Sequence, residues 1–290
     1  LNKQELKNLI AGINDLPTLP TIAASILGLL DNPSASASEL GKLISSDQGI
    51  TMRILRMANS SYYGFPRQIG TVNLAIVVLG FETVKNLTLS LSIRDTIKNW
   101  SVSVPFDFNY YWKHSLYTAS GARAFAKNTS YKVPGEAFVA GLVHDMGKII
   151  IAKYFPKEYS QVYQITQDEN KSSFETEEEI IGANHAQIGG WLAEKWNLPS
   201  AITESVACHH APEQALLDTL LSSIINLANS YAVYQHLKLE AEVGPSGYNS
   251  YAWTALKMRL KPDGSFDIEF YRDLFNIEIE RSNSLLEVFA

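Results

Sequence analysis

The sequence predicts an all-α protein, an N-terminal helical part followed by a second helical part. Apolar residues recur at spacings of three and four along most of the chain, capping residue types stand just ahead of those stretches, and strand-like alternation is scarce. The composition supports a folded core. With 46% hydrophobic and 19% charged residues among 290, there is enough apolar surface to offset the entropy of ordering, which excludes a disordered chain. Cys208 stands alone, so an internal disulfide scaffold is excluded. A net charge of −6 and a pI near 5.6 argue against a broad nucleic-acid or anionic-lipid footprint. Small ligands and proteins are the expected partners. No stretch reaches the roughly 18 apolar residues of a spanning helix. Leu1 to Glu5 lacks the basic start and apolar run of a secretory signal, so a cytoplasmic protein with no membrane or nucleic-acid partner is expected.

The elements follow in order. Ile22, Ile26, Leu29 and Leu30 form a helical stripe behind Pro20, which suits a first-turn position, and Asp31-Asn32-Pro33 stops it. Pro33 to Ser38 reads as a turn. Ser36 or Ser38 caps the next helix, whose stripe is Leu40, Leu43 and Ile44; Asp47 caps a third with Ile50, Ile54, Leu55 and Ala58. Tyr62-Tyr63-Gly64-Phe65-Pro66 reads as an exposed aromatic recognition loop or an ordinary packed turn, and the modest aromatic content favours the turn. Thr71 then caps the apolar run Val72 to Leu79, either a buried helix or a strand; Gly80 and the spacing of Val84, Leu87 and Leu91 beyond it favour two successive helices.

Trp100 to Phe108 lacks helical periodicity and contains Pro105, which places a seam there. The expected organisation is residues 1–104, 105–236 and a C-terminal extension over 237–290. Helices are expected from Phe108 to Lys127, Pro134 through His144, Met146 to Phe155, Phe174 to Gly182, His185 to Trp196, Pro199 to His209 and Ala215 to His236. From Leu237 to Trp253 the pattern dissolves, and Phe266 to Ile279 is a last amphipathic stretch. The acidic run Glu175 to Glu179 reads as an exposed helix start.

Five of the six histidines, His114, His144, His185, His209 and His210, fall between positions 114 and 210. Together with Asp145 they form a donor set that Zn, Fe, Mn, Co or Ni would accept. His144-Asp145 follows directly on an apolar helix, and burying that pair without a partner is expensive. Lys148 stands four residues after His144 and three after Asp145. Two readings follow: an ion-paired helix turn, or two metal ligands with a lysine placed to hold an anionic substrate oxygen. Cys208 next to His209 is a poor nucleophile–base pair, because adjacent helical side chains diverge by about 100°.

These segments resemble the HDOD proteins, bacterial signalling relatives of the HD phosphohydrolases and of the HD-GYP cyclic-dinucleotide phosphodiesterases. The resemblance rests on Leu16-Pro17-Thr18-Leu19-Pro20, Leu55 to Ser60 with Tyr62-Tyr63-Gly64, Ala75 to Gly80, Trp112-Lys113-His114-Ser115, Gly141 to Lys148, His185 to Gly189 with Trp196 to Pro199, and His209-His210-Ala211-Pro212. It covers roughly residues 15 to 235. It implies a multi-helical HD-like domain preceded by an N-terminal helical subdomain. It also implies metal ligation by His114, His144, Asp145, His185, His209 and His210, with a late carboxylate at a position that is Asn229 here.

An amide brings no charge, so one divalent transition-metal ion (Fe, Mn, Zn, Ni or Co) is expected, and a second would bind weakly. Ala211-Pro212-Glu213-Gln214 lacks the Gly-Tyr-Pro signature, which disfavours cyclic-dinucleotide hydrolysis. The resemblance implies an output or scaffold module that contacts signalling proteins. The alternative it leaves is a metal-dependent phosphohydrolase of a nucleotide or other phosphoester, with Asp145 and Lys148 as catalytic residues.

Overall fold

The computed structural model describes residues 3–13, 16, 18–30, 36–98, 100–129, 131–169, 171–237 and 249–289. Among these the regular elements are helical, apart from an isolated bridge between Leu260 and Phe266. The expected stop at Asp31-Asn32-Pro33, the start of the Pro33 to Ser38 turn and most of the stretch from Leu237 to Trp253 lie outside the described residues.

The first group comprises α1 (Lys3–Ala11), α2 (Thr21–Leu30), α3 (Ala37–Ser45), α4 (Gln48–Ala58), α5 (Val72–Leu79) and α6 (Phe81–Lys98). Local chemistry sets their starts. Ser36 and Glu39 close a reciprocal capping box on α3, Asp47 accepts from Ile50 N at 2.9 Å, and Thr71 accepts from Leu74 N at 3.2 Å. Pro20 flanks α2 instead of opening it: its carbonyl accepts from Ala24 N, and Thr21 is the first helical residue. Val72–Leu79 is a helix, stopped by Gly80 at φ 89°. α6 is buried on nearly every side, including Thr88, Ser92 and Thr96, whose hydroxyls return to the carbonyls of Val84, Thr88 and Ser92. That back-bonding lets polar residues sit in a core.

The second group is built on α7 (Phe108–Asn128), which packs against α8 (Pro134–Val143), α14 (Thr219–Leu237) and α16 (Ile268–Phe289). A break at His144-Asp145 separates α8 from α9 (Met146–Tyr154), followed by α10 (Pro156–Glu169), α11 (Ser173–Ile181), α12 (His185–Lys195) and α13 (Ser200–Cys208). α12 packs on both α9 and α13. The 3-10 turn Pro212–Gln214 delays α14 to Thr219, and α15 (Ser250–Ala255) lies against α14. α16 begins at Ile268, because Phe266 is taken up in the bridge to Leu260. The groups touch where α6 meets α8, α1 meets α12 and α4 meets α16. No single described helix is long and apolar enough to cross a membrane.

Candidate metal centre

Four places in the chain deliver the expected donors to one buried point. His114 comes from α7, His144 and Asp145 from the corner between α8 and α9, His185 from the first residue of α12, and His209 and His210 from the end of α13. His114, His144, Asp145, His185 and His209 are at most 4% exposed. Gly147 makes the convergence possible: a Cβ there would stand 1.9 Å from the His185 carbonyl oxygen. Only glycine lets α9 and α12 approach so closely.

Asp145 lies at the centre and divides the donors. Its Oδ2 is 3.4 Å from both His114 Nε2 and His144 Nε2, while Oδ1 is 3.1 Å from His185 Nε2 and 3.8 Å from His209 Nε2. His114, His144 and Asp145 form one set able to hold a metal ion, and His185, His209 and His210 form another. Lys148 Nζ lies 2.7 Å from Asp145 Oδ2. The helix is interrupted between His144 and Met146, yet the lysine still reaches the carboxylate from the first turn of α9.

The far sides of three rings fix their tautomers. His144 Nδ1 donates to the Gly141 carbonyl at 2.8 Å and His209 Nδ1 to the Val206 carbonyl at 2.7 Å. His185 Nδ1 faces Glu177 Oε2 at 2.6 Å, an oxygen that also accepts from the His185 backbone N–H. With Nδ1 carrying the proton, each Nε2 presents a lone pair toward Asp145. Lone pairs therefore face a carboxylate. Asp145 Oδ1 and His209 Nε2 are buried without a hydrogen-bond partner, the situation a cation resolves. These residues fit a divalent transition metal, which would supply Lewis acidity and an activated water. The outer partners on Nδ1 are those that orient metal-bound imidazoles.

The electrostatics separate the rings. Burial lowers His114 to about 4 against the pull of Asp145, and burial with neighbouring imidazoles holds His209 and His210 well below their ordinary range. All three stay neutral and able to ligate near neutral pH. Burial lowers His185 too, but Glu177 more than reverses it and raises that ring. Burial acts to raise Asp145, and His144, Lys148 and hydrogen bonds overcome it, leaving the carboxyl well below its ordinary value.

Asn229 lies on α14, 9% exposed, and no hydrogen bond or ion pair joins it to the cluster among the described residues. The α14 link is made one turn earlier, where Asn226 Nδ2 donates to the His209 carbonyl at 2.8 Å. Glu177 corrects the reading of the acidic run. Glu175, Glu178 and Glu179 are exposed, but Glu177 is buried on His185. Its spacing to Ile180 and Ile181 carried the signal, since those positions share one helix face. Phe174, stacked on His210 with centroids 4.6 Å apart, was likewise unforeseen. The Cys208 thiol is raised by burial and by Glu204, the reverse of activation.

The cluster opens into a cleft of about 740 Å³ between α7 and α10. His114, Asp145 and Lys148 lie in its wall, with Tyr110, Tyr159 and Tyr163 around them.

A family model described as the HDOD domain matches residues 16–212. A curated relative, an uncharacterized protein of Treponema pallidum (strain Nichols), is 25% identical over 207 residues, which are 70% of this chain and 40% of that protein. The chain thus spans less than half the length of this relative. Among solved structures, an HDOD domain protein of unknown function from Geobacter sulfurreducens is 27% identical, covers 98% of this chain and 94% of its own, and has a TM-score of 0.78. A Shewanella amazonensis SB2B protein, provisionally named a phosphohydrolase, shares the fold at 21% identity and TM-score 0.78, with 97% and 98% covered.

Proposed function

The chain belongs to the HDOD family, and from that premise we propose that it is a signalling module built around a held divalent transition-metal ion. One observation carries this reading: both oxygens of the buried Asp145 face imidazole Nε2 atoms whose Nδ1 partners are already fixed. One ion, of Fe, Mn, Zn, Ni or Co, is held with Asp145. A second is weaker, because no other carboxylate faces the cluster interior among the described residues. The length of the Treponema relative supports a module joined to further segments. α5 supports contact with signalling proteins, since Leu74, Val77 and Val78 share one exposed face. The test is elemental analysis of protein purified without added metal. About one ion per chain, lost in Asp145→Ala, is expected; metal-free wild-type protein with an intact fold overturns the reading.

A second reading is metal-dependent hydrolysis of a phosphoester, favoured by the cleft that reaches His114, Asp145 and Lys148. Lys148 is one-third exposed at its side chain and placed to hold a phosphate oxygen, while Asp145 holds the metal that activates water. Turnover of a generic phosphodiester with Mn²⁺ or Fe²⁺, abolished in Asp145→Ala and reduced in Lys148→Ala, supports it. Inert metal-loaded protein leaves the module without this activity.

A further inference from the structure

The other end of α8 from His144 opens beside a separate cavity of about 490 Å³, formed where α6 meets α7 and α8. The helix start has no side-chain cap, since Val133 offers no acceptor and Pro134 has no N–H. Lys127, Lys132 and Arg123 line the same cavity. Neither lysine forms an ion pair among the described residues. Arg123 donates to Tyr63 Oη at 3.2 Å and lies over the rings of Tyr62 and Tyr63, which fixes the guanidinium without neutralising it. Glu278 on α16 attracts Arg123 and Lys127, but is itself bridged to Arg281 at 3.1 Å.

An independent observation comes from Asn86 on α6. It is 4% exposed, lines the cavity, and its Nδ2 has no hydrogen-bond partner. A buried donor of this kind calls for an acceptor. Gly135, in the first turn of α8, lets that amide lie directly against the helix start: a Cβ there would stand 2.3 Å from Asn86 Nδ2. Of the two acids on the wall, Glu82 is bridged by Lys85, while Glu136 stays a carboxylate beside Tyr131, whose hydroxyl donates to Asp218 at 2.6 Å; Arg123, Lys127 and Lys132 outnumber it there. Leu87 and Phe138 add an apolar surface.

We infer that this cavity binds an organic phosphate of mononucleotide size. The phosphate sits at the α8 N-terminus against Asn86 Nδ2, Lys127 and Lys132, and the organic part lies against Leu87 and Phe138. A helix N-terminus, a free amide and two ammonium groups match a compact dianion with several acceptor oxygens. The volume exceeds what bare phosphate fills and falls within the range of small-molecule pockets. The ten residues of α8 set the site about 15 Å from the metal cluster. It is therefore a second site.

The test is calorimetric titration of the full chain, as purified, with AMP and separately with inorganic phosphate. Saturable AMP binding is expected, weakened tenfold or more in the paired variant Lys127→Ala/Lys132→Ala and in Asn86→Leu. Inorganic phosphate should bind more weakly with the same sensitivity. The exposed lysines keep the test valid if Asn86→Leu does not fold. Absence of saturable AMP binding, or AMP binding indifferent to the lysine pair, overturns the site; inorganic phosphate binding as tightly as AMP overturns the organic ligand.

Discussion

The two donor sets that meet at Asp145 are alike in chemistry and unlike in surroundings. His114 faces the cleft with Lys148 and Tyr110, and His144 stands buried on the same Oδ2, so a ligand entering there meets the Oδ2 side of the carboxylate. His185, His209 and His210 lie behind, braced by Glu177 and covered by Phe174. One side is built for access and the other for anchoring. A single carboxylate serves both, which makes Asp145 the residue whose loss removes the distinction.

Asp145→Asn is expected to have the largest effect. Metal affinity should fall by more than the 10–100-fold typical of losing an outer-shell partner, because the lost group is the shared ligand itself. Elemental analysis should show the ion lost, with neither donor set holding it alone. Retention of wild-type metal content would show that the imidazoles hold the ion without Asp145.

Acidification comes next, and it separates the rings. In an unfolded chain the histidines protonate near 6.5, whereas His114 in the fold protonates only at about 4 and His209 and His210 lower than usual. Between those values the unfolded state binds more protons, so stability falls as pH drops. For His114 alone the gap corresponds to about 3 kcal/mol at 1.36 kcal/mol per pH unit. His185 acts with the opposite sign: its raised value contributes stability present below 6.5 and lost as pH rises through its folded value. Urea unfolding of chelator-treated protein at pH 7 and pH 4.5 checks the balance. Glu177→Gln removes the opposing pull on His185, so a midpoint unchanged in both wild type and Glu177→Gln would mean that the rings are hydrated and not buried as described.

How much of this was legible depends on whether the signal is local. Ser36, Asp47 and Thr71 announce their helices because a cap and its first turn are neighbours in sequence. α1, α10 and α15 went unforeseen. Among its described side chains α10 buries only Val162, so its apolar stripe is too thin to register. α1 buries Leu6 and Ile10 against α12, and Lys7 pairs there with Glu194 at 2.7 Å, partners far away in the chain. The imidazoles and Asp145 stood out by residue type, but their division between Oδ1 and Oδ2 is tertiary. Glu177 was misread for the same reason, since a carboxylate in an acidic run looks solvated until the ring it serves is in place.

Glu177→Gln sharpens the comparison on the anchoring side. The amide keeps the shape but weakens the contact that holds the His185 tautomer and raises its basicity. A 10–100-fold loss of metal affinity is expected, with the His114 side left in place. Competition against a chromophoric chelator measures it. An unchanged affinity would reduce Glu177 to a cap for the His185 backbone N–H.

Asn229→Asp carries the smallest expected effect and tests whether the anchoring side can be completed. Asn226 already ties α14 to the His209 carbonyl, and Asn229 follows it by three residues, so the two lie on one helix face. A carboxylate there adds the charge that the three-imidazole set lacks, and a second divalent ion should bind several-fold more tightly. Calorimetric stoichiometry with Mn²⁺ rising above the wild-type value is the expected result. If stoichiometry stays fixed while the fold is intact, residue 229 is too far from His209 and His210 to act, and Asp145 remains the cluster's carboxylate.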